Sequence, residues 1–178
     1  MVERYTLMEY PQAWFRTSCD IDILIHQEDV ERTIELLVKN GYEHQSDATT
    51  HDYSFITPGK VHLELHYSLN QGERMEAINA ILDMVWVCSS PFKESPYCFQ
   101  ISNDMFVFYH IAHMAKHFIA GGCGIRSFID LYINVKHKSG RVVGLLSSLS
   151  EKHRLLLTNL LQLIKMQCSY FVQQRQKN

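Results

Sequence analysis

The chain has no long apolar run: nowhere do its 178 residues approach the ~20 consecutive apolar positions of a membrane-spanning helix. Its first stretch, MVERYTLMEYPQAW, carries charges and a proline where a secretory signal needs an unbroken apolar core. These absences predict a soluble, cytoplasmic protein with no membrane partner. The five cysteines, Cys19, Cys88, Cys98, Cys123 and Cys168, are odd in number, scattered and free of any C-x-x-C pair. That pattern suggests neither a disulfide framework nor a zinc knuckle and fits a reducing compartment. An excess of positive charge is missing too. With 17 basic and 19 acidic residues the formal charge is −2, which gives no reason to expect bulk nucleic-acid binding. A single nucleotide or an RNA end stays open as a partner.

What is present reads as globular, with 46% hydrophobic and 20% charged residues and enough length for one domain or a small core plus an appended half. Thr6 to Tyr10 reads as the end of a helix stopped by Pro11. Cys19 to Ile25 is β-rich and short, hence a strand. A helix follows from about Glu28 to Asn40, with acidic residues in its first turn, an apolar stripe of Val30, Ile34, Leu37 and Val38, and Gly41 as its cap. HDYSFIT and KVHLELHYSL, joined by PGK, predict a hairpin. In its second strand Val61, Leu63, Leu65 and Tyr67 point to one face, and His62, Glu64 and His66 to the other. Residues 73–87 have a helical pattern, and SSPFKESP is the most linker-like stretch. A boundary is placed there. Beyond it a helix runs through DMFVFYHIAHMAKHFIA from an N-cap at Ser102 or Asn103 to GGCG, IRSFIDLYINVKHK gives another, and helical patterns recur at 141–149 and 153–173. The fold class is α+β, with a core over residues 1–90 and a helical segment over 91–178.

The chemistry starts from RTSCDIDILIHQED, where two carboxylates interrupt an apolar strand. Residues i and i+2 of a strand face the same way, so Asp20 and Asp22 stand about 7 Å apart on one side while Ile21, Ile23 and Ile25 fill the core. Such a pair suits a hard divalent cation, Mg²⁺ in particular, whose remaining positions go to water and substrate phosphates. On spacing alone, D-x-D is as readily the solvent face of an edge strand. Glu64 on a second strand supplies a third carboxylate, and Arg16 and Ser18 precede the first strand, the arginine suited to phosphate oxygens. Three carboxylates from two adjacent strands make the layout of a two-metal phosphoryl or nucleotidyl transfer site.

RTSCDIDILI, the helix ending in NGY, VHLELHY, HIAHMAKH and IRSFIDLY together resemble the uncharacterised nucleotidyltransferases of the polymerase-β-like superfamily, over most of residues 5–135. The resemblance implies a small mixed sheet flanked by helices, and transfer of a nucleoside monophosphate from an NTP to an unknown acceptor (a small molecule, a protein or an RNA end). It implies Mg²⁺ or Mn²⁺ held by Asp20, Asp22 and Glu64 as metal-binding and catalytic residues, with the helical half closing over the nucleotide. It further implies substrate contacts from Arg16, Ser18, His66, His113, His117, Arg126 and Asp130. One departure stands out. The Gly-Ser, or in this branch Lys-Gly, turn of these proteins falls at VER here, with Glu3 and Arg4 in its place, so the core is read as N-terminally truncated.

Other readings stay open on the same residues. The departure at VER also suits a catalytically degenerate module that binds a ligand or a partner. His62, Glu64 and His66 make an H-x-E-x-H set able to ligate zinc or iron, or simply a polar strand face. His110, His113 and His117 share a helix face, which serves a metal or, more simply, a histidine-lined groove. Arg126 and Asp130, at i and i+4, make either a surface ion pair of small energetic weight or a phosphate-binding arginine with its anchor. The tail LLLTNLLQLIKMQCSYF offers an apolar stripe for core packing or a homodimer contact.

Overall fold

A computed structural model describes residues 20–45, 52–93 and 95–137, with positions 12, 158 and 162. The helix end expected before Pro11, the VER segment, Arg16, Ser18 and the helical patterns at 141–149 and 153–173 lie outside these residues. The described elements are strand β1 (Asp20–Leu24), helix α1 (Val30–Lys39), strands β2 (Glu43–His44), β3 (Asp52–Ile56) and β4 (His62–His66), helix α2 (Glu76–Leu82), strands β5 (Ser89–Phe92) and β6 (Ser95–Ile101), and helices α3 (Asn103–Ala120) and α4 (Ile125–His137). The chain is α+β. It divides into two compact units, Met1–Asn70 with Pro91–Gln100, and Gln71–Ser90 with Ile101–Asn178.

The first unit is built on a four-stranded mixed sheet in the order β1-β4-β3-β2. β1 pairs parallel with β4, and β3 pairs antiparallel with both β4 and β2. A parallel neighbour cannot be reached through a tight turn, so the chain must travel through a helix and return. Helix α1 supplies that excursion. Its N-terminal acidic residues Glu28, Asp29 and Glu31 and its terminal Lys39 complement the helix dipole. It ends in a Schellman motif: Tyr42 N–H donates to the Leu37 carbonyl (3.1 Å) and Gly41 N–H to that of Val38 (3.0 Å), with Gly41 at φ 83°. Leu37 and Tyr42, brought together by that closure, both pack on the core.

The core of this unit is Phe55, Leu63 and Leu65, surrounded by Ile23, Ile25, Ile34, Leu37, Tyr42 and Tyr53. Alternation along β3 and β4 sends these side chains to one face and Asp52, Ser54, His62, Glu64 and His66 to the other. Three expected core positions behave otherwise. Ile21 and Val61 are each 41% exposed, at the sheet's margin, and Val38 of α1 is 51% exposed, past the edge of the packed stripe. The turn between β3 and β4 contains Pro58 and Gly59 as expected, closed by Lys60 N–H donating to the Thr57 carbonyl (2.9 Å). The residue with positive φ is Lys60 (61°), the left-handed step that returns the chain into β4.

SSPFKESP is not a linker. Its residues form β5, a turn and the start of β6, a two-stranded ribbon. In such a ribbon both strands are edges, so Pro91 and Pro96 can sit where their missing N–H leaves no interior ladder bond unmade. In the second unit α3 is buried along most of its length, with Met105, Phe106, Val107, Phe108, Ile111, Ala112, Met114, Ala115 and Phe118 inside. Ser102 caps it, its Oγ accepting from Met105 N–H (3.3 Å), and Gly121 at φ 133° ends it. Helix α4 packs against α3 through Phe118 and Phe128, whose ring centroids are 5.8 Å apart. Residues 73–87, expected as one helical stretch, form a single 3₁₀ turn (Glu73–Met75), α2 and then turns.

Phe55, with no exposed surface, is the side chain on which the sheet and α1 converge. Phe55→Ala is expected to destabilise the chain by about 3–5 kcal/mol. Urea unfolding followed by circular dichroism measures this.

Candidate functional site

The register of the sheet fixes the site. Across β1 and β4, Asp20 lies opposite His62, Asp22 opposite Glu64 and Leu24 opposite His66; across β3 and β4, Ser54 lies opposite Glu64 and Asp52 opposite His66. Every second residue shares a face, so Asp20, Asp22, Asp52, Ser54, His62, Glu64 and His66 are gathered on the side of the sheet away from Phe55, Leu63 and Leu65. Two sets of metal-ligand type result, Asp20–His62–Glu64 and Asp22–Glu64–His66, and in each the ligand atoms lie within 4.8 Å of one another. The H-x-E-x-H triple does not act as one set. Glu64 belongs to both groups, with a different histidine and a different aspartate in each.

The contacts explain how the groups are held. His66 Nε2 lies 3.4 Å from Asp22 Oδ1 and 3.3 Å from Glu64 Oε2, while its Nδ1 faces Asp52 Oδ2 at 3.8 Å. His62 Nδ1 is 3.7 Å from Glu64 Oε1, and its Nε2 shares a 2.7 Å hydrogen bond with Ser54 Oγ. Burial raises the Glu64 pKa above the usual carboxylate value, and the neighbouring Asp22 charge adds to the rise. For His66, burial acts downward. It is outweighed by the hydrogen bond to Asp22 and by the charges of Asp22, Glu64 and Asp52, so the net shift is upward.

Sequence reasoning missed Asp52 and Ser54. The signal was available in HDYSFIT, where Asp52 and Ser54 alternate with Tyr53 and Phe55 as polar and core positions do. Only the strand pairing shows that this polar face is continuous with that of β4.

The remaining assigned residues belong to the second unit. The three α3 histidines do not share one environment. His110 is buried and donates from Nε2 to the Ser127 carbonyl (2.8 Å), a structural bond to α4. His113 Nδ1 meets Gln71 Oε1 at 3.2 Å, and His113 and His117 approach through their Nε2 atoms at 2.9 Å. Burial, helped by the Lys116 charge, lowers the His117 pKa. Arg126 is exposed, whereas Asp130 is buried, 3% exposed, and so is not half of an ordinary surface ion pair.

A family model described as an uncharacterised nucleotidyltransferase matches residues 5–170. The chain belongs to that family. No curated protein and no solved structure matches it. Nucleotidyl transfer generally uses divalent cations to bridge and neutralise phosphate oxygens. The donor set of this chain fits such an ion: carboxylates for a hard cation and two imidazoles at the same sheet face. No helix among the described residues is long and apolar enough to cross a membrane.

The pKa shifts carry a pH dependence. His66 has a raised folded-state pKa, so its stabilisation is present below about 6.5 and is lost as pH rises through the raised value. Glu64 is raised likewise, so its share is lost between the ordinary carboxylate value and its own. Metal-free protein in EDTA should therefore lose melting temperature as pH rises from the ordinary carboxylate range to above the ordinary histidine value. In Asp22→Asn, which removes the charge acting on both groups, that loss should be smaller. Thermal melts of the two proteins across this range provide the check.

Proposed function

We propose that the chain is a divalent-metal-dependent nucleotidyltransferase that moves a nucleoside monophosphate from an NTP to an acceptor hydroxyl. The observation that carries this reading is the pairing of Asp22 with Glu64 across β1 and β4, with Asp20 one alternation away. Asp20, Asp22 and Glu64 would hold Mg²⁺ or Mn²⁺. A cation held there would supply charge neutralisation for the phosphate oxygens and would make the acceptor hydroxyl easier to deprotonate.

The chain's own groups do the rest. The acceptor oxygen forms a bond to the α-phosphorus, the bond from that phosphorus to the β-phosphate oxygen breaks, and pyrophosphate leaves. The acceptor's proton is removed with help from Glu64, which stands opposite Asp22 in the register of β1 and β4. Arg16 and Arg126 are assigned to phosphate charge, with Asp130 as the anchor of Arg126, and Ser18, His113 and His117 to further substrate contacts. The acceptor belongs to one of three classes, a small molecule, a protein or an RNA end, and the reaction to the cytoplasm.

Titration calorimetry with ATP, GTP, CTP and UTP in millimolar Mg²⁺ tests the site and its base preference together. At least one should bind, and Asp22→Asn should lower turnover by about a hundredfold or more, since each lost contact to transition-state charge is worth several kcal/mol. Binding of none, with Asp20→Ala indistinguishable from wild type, would end the proposal. A separate outcome concerns the division of labour. Millimolar Mg²⁺ or Mn²⁺ should raise the melting temperature by mass action. Asp22→Asn should abolish most of that rise, and His113→Ala should keep it.

A further inference from the structure

Each of the two ligand groups contains one imidazole, and behind each imidazole stands a residue of β3. His62 turns its Nδ1 toward Glu64 (3.7 Å) because its Nε2 is engaged by Ser54 Oγ at 2.7 Å. His66 turns its Nε2 toward Asp22 and Glu64 (3.4 and 3.3 Å), with Asp52 Oδ2 behind its Nδ1 at 3.8 Å. Ser54 and Asp52 are two residues apart on β3, in register with Glu64 and His66 on β4. A histidine that ligates a metal needs this arrangement. One nitrogen offers its lone pair to the ion, and the other gives its N–H to an oxygen that fixes tautomer and ring orientation. A solvent-facing strand histidine needs no such partner; here His62 has one in Ser54, and Asp52 faces the corresponding nitrogen of His66 at 3.8 Å.

The composition of the groups then bears on the choice of ion. Mg²⁺ favours an all-oxygen shell with several waters, whereas Mn²⁺, Co²⁺ and Zn²⁺ accept imidazole beside carboxylate. Resting on the nucleotidyltransferase reading, we propose that His62 and His66 are themselves ligands, through Nδ1 and Nε2 respectively. One set is then Asp20, His62 and Glu64, and the other Asp22, His66 and Glu64, so that the site selects an ion of the Mn²⁺, Co²⁺ and Zn²⁺ class over Mg²⁺. Ser54 and Asp52 are positioning residues that act through the two rings.

The test uses the full-length chain without a histidine tag and Mn²⁺ as the probe. Electron spin echo modulation of bound Mn²⁺ detects directly coordinated imidazole nitrogen. The expected spectrum carries ¹⁴N modulation that changes to the ¹⁵N pattern when histidine alone is ¹⁵N-labelled. The modulation should fall in His62→Gln and in His66→Gln and be absent from the double variant. By calorimetry Mn²⁺ should bind at least about tenfold more tightly than Mg²⁺, and Ser54→Ala and Asp52→Asn should each weaken Mn²⁺ by about 10- to 100-fold, the usual effect of losing an outer partner. Mn²⁺ that is displaced by Glu64→Gln yet shows no nitrogen modulation in wild type would overturn the inference and leave metal-dependent nucleotidyl transfer standing. Failure of the wild type to bind any divalent ion would remove both. The wild-type spectrum decides the question without relying on the folding of any variant.

Discussion

Everything at the candidate site depends on one pairing, the parallel register of β1 against β4. It places Asp22 directly opposite Glu64 and Asp20 opposite His62. Side chains alternate along a strand, so a slip of one residue would send the aspartates to the other face and turn the isoleucines toward the polar groups. The apolar cluster on the reverse of the sheet opposes that slip: Leu63 and Leu65 are almost fully buried, and Ile23 and Ile25 pack against them. The hydrophobic face therefore sets the positions of the charged one. Repulsion among close carboxylates is tolerated because burial of the opposite face fixes the register whatever its own electrostatic cost.

The second consequence of that register is the mixing of carboxylate and imidazole. A carboxylate pair alone would suit a hard cation, and a histidine pair alone a softer one. Here β4 alternates His62, Glu64 and His66, and β1 adds Asp20 to the group of His62 and Glu64 and Asp22 to that of Glu64 and His66. Glu64, at the centre, takes part in both groups. Its own burial and the charge of Asp22 raise its proton affinity. A cation bound there would compete with the proton for one carboxylate.

Much of the first unit was legible in the sequence because its signals are local. Two carboxylates in an Ile-rich strand, the 3.6-residue period of α1 with Gly41 behind it, and the period-2 pattern of VHLELHY each have one simple reading, and the structure has those elements. The roles of Asp52 and Ser54 were not legible, since they depend on which strand lies next to β4, and adjacency of strands is a tertiary property. The ribbon of β5 and β6 was hidden by composition: serine and proline read as a linker, yet a two-stranded ribbon tolerates both. The helix histidines misled for another reason. Spacing alone places His110 near His113, but the packing of α4 against α3 draws His110 into a bond with the Ser127 carbonyl.

The path of the backbone between the two compact units has its own consequence. The chain passes from one unit to the other after Asn70, returns after Ser90 and leaves again after Gln100. Three covalent crossings mean that no single cut yields either unit whole. A fragment ending at residue 90 would carry Gln71–Ser90 without the helices they belong with and would lack Pro91–Gln100. Two-part in its packing, the chain cannot be divided into its units by one break in the backbone.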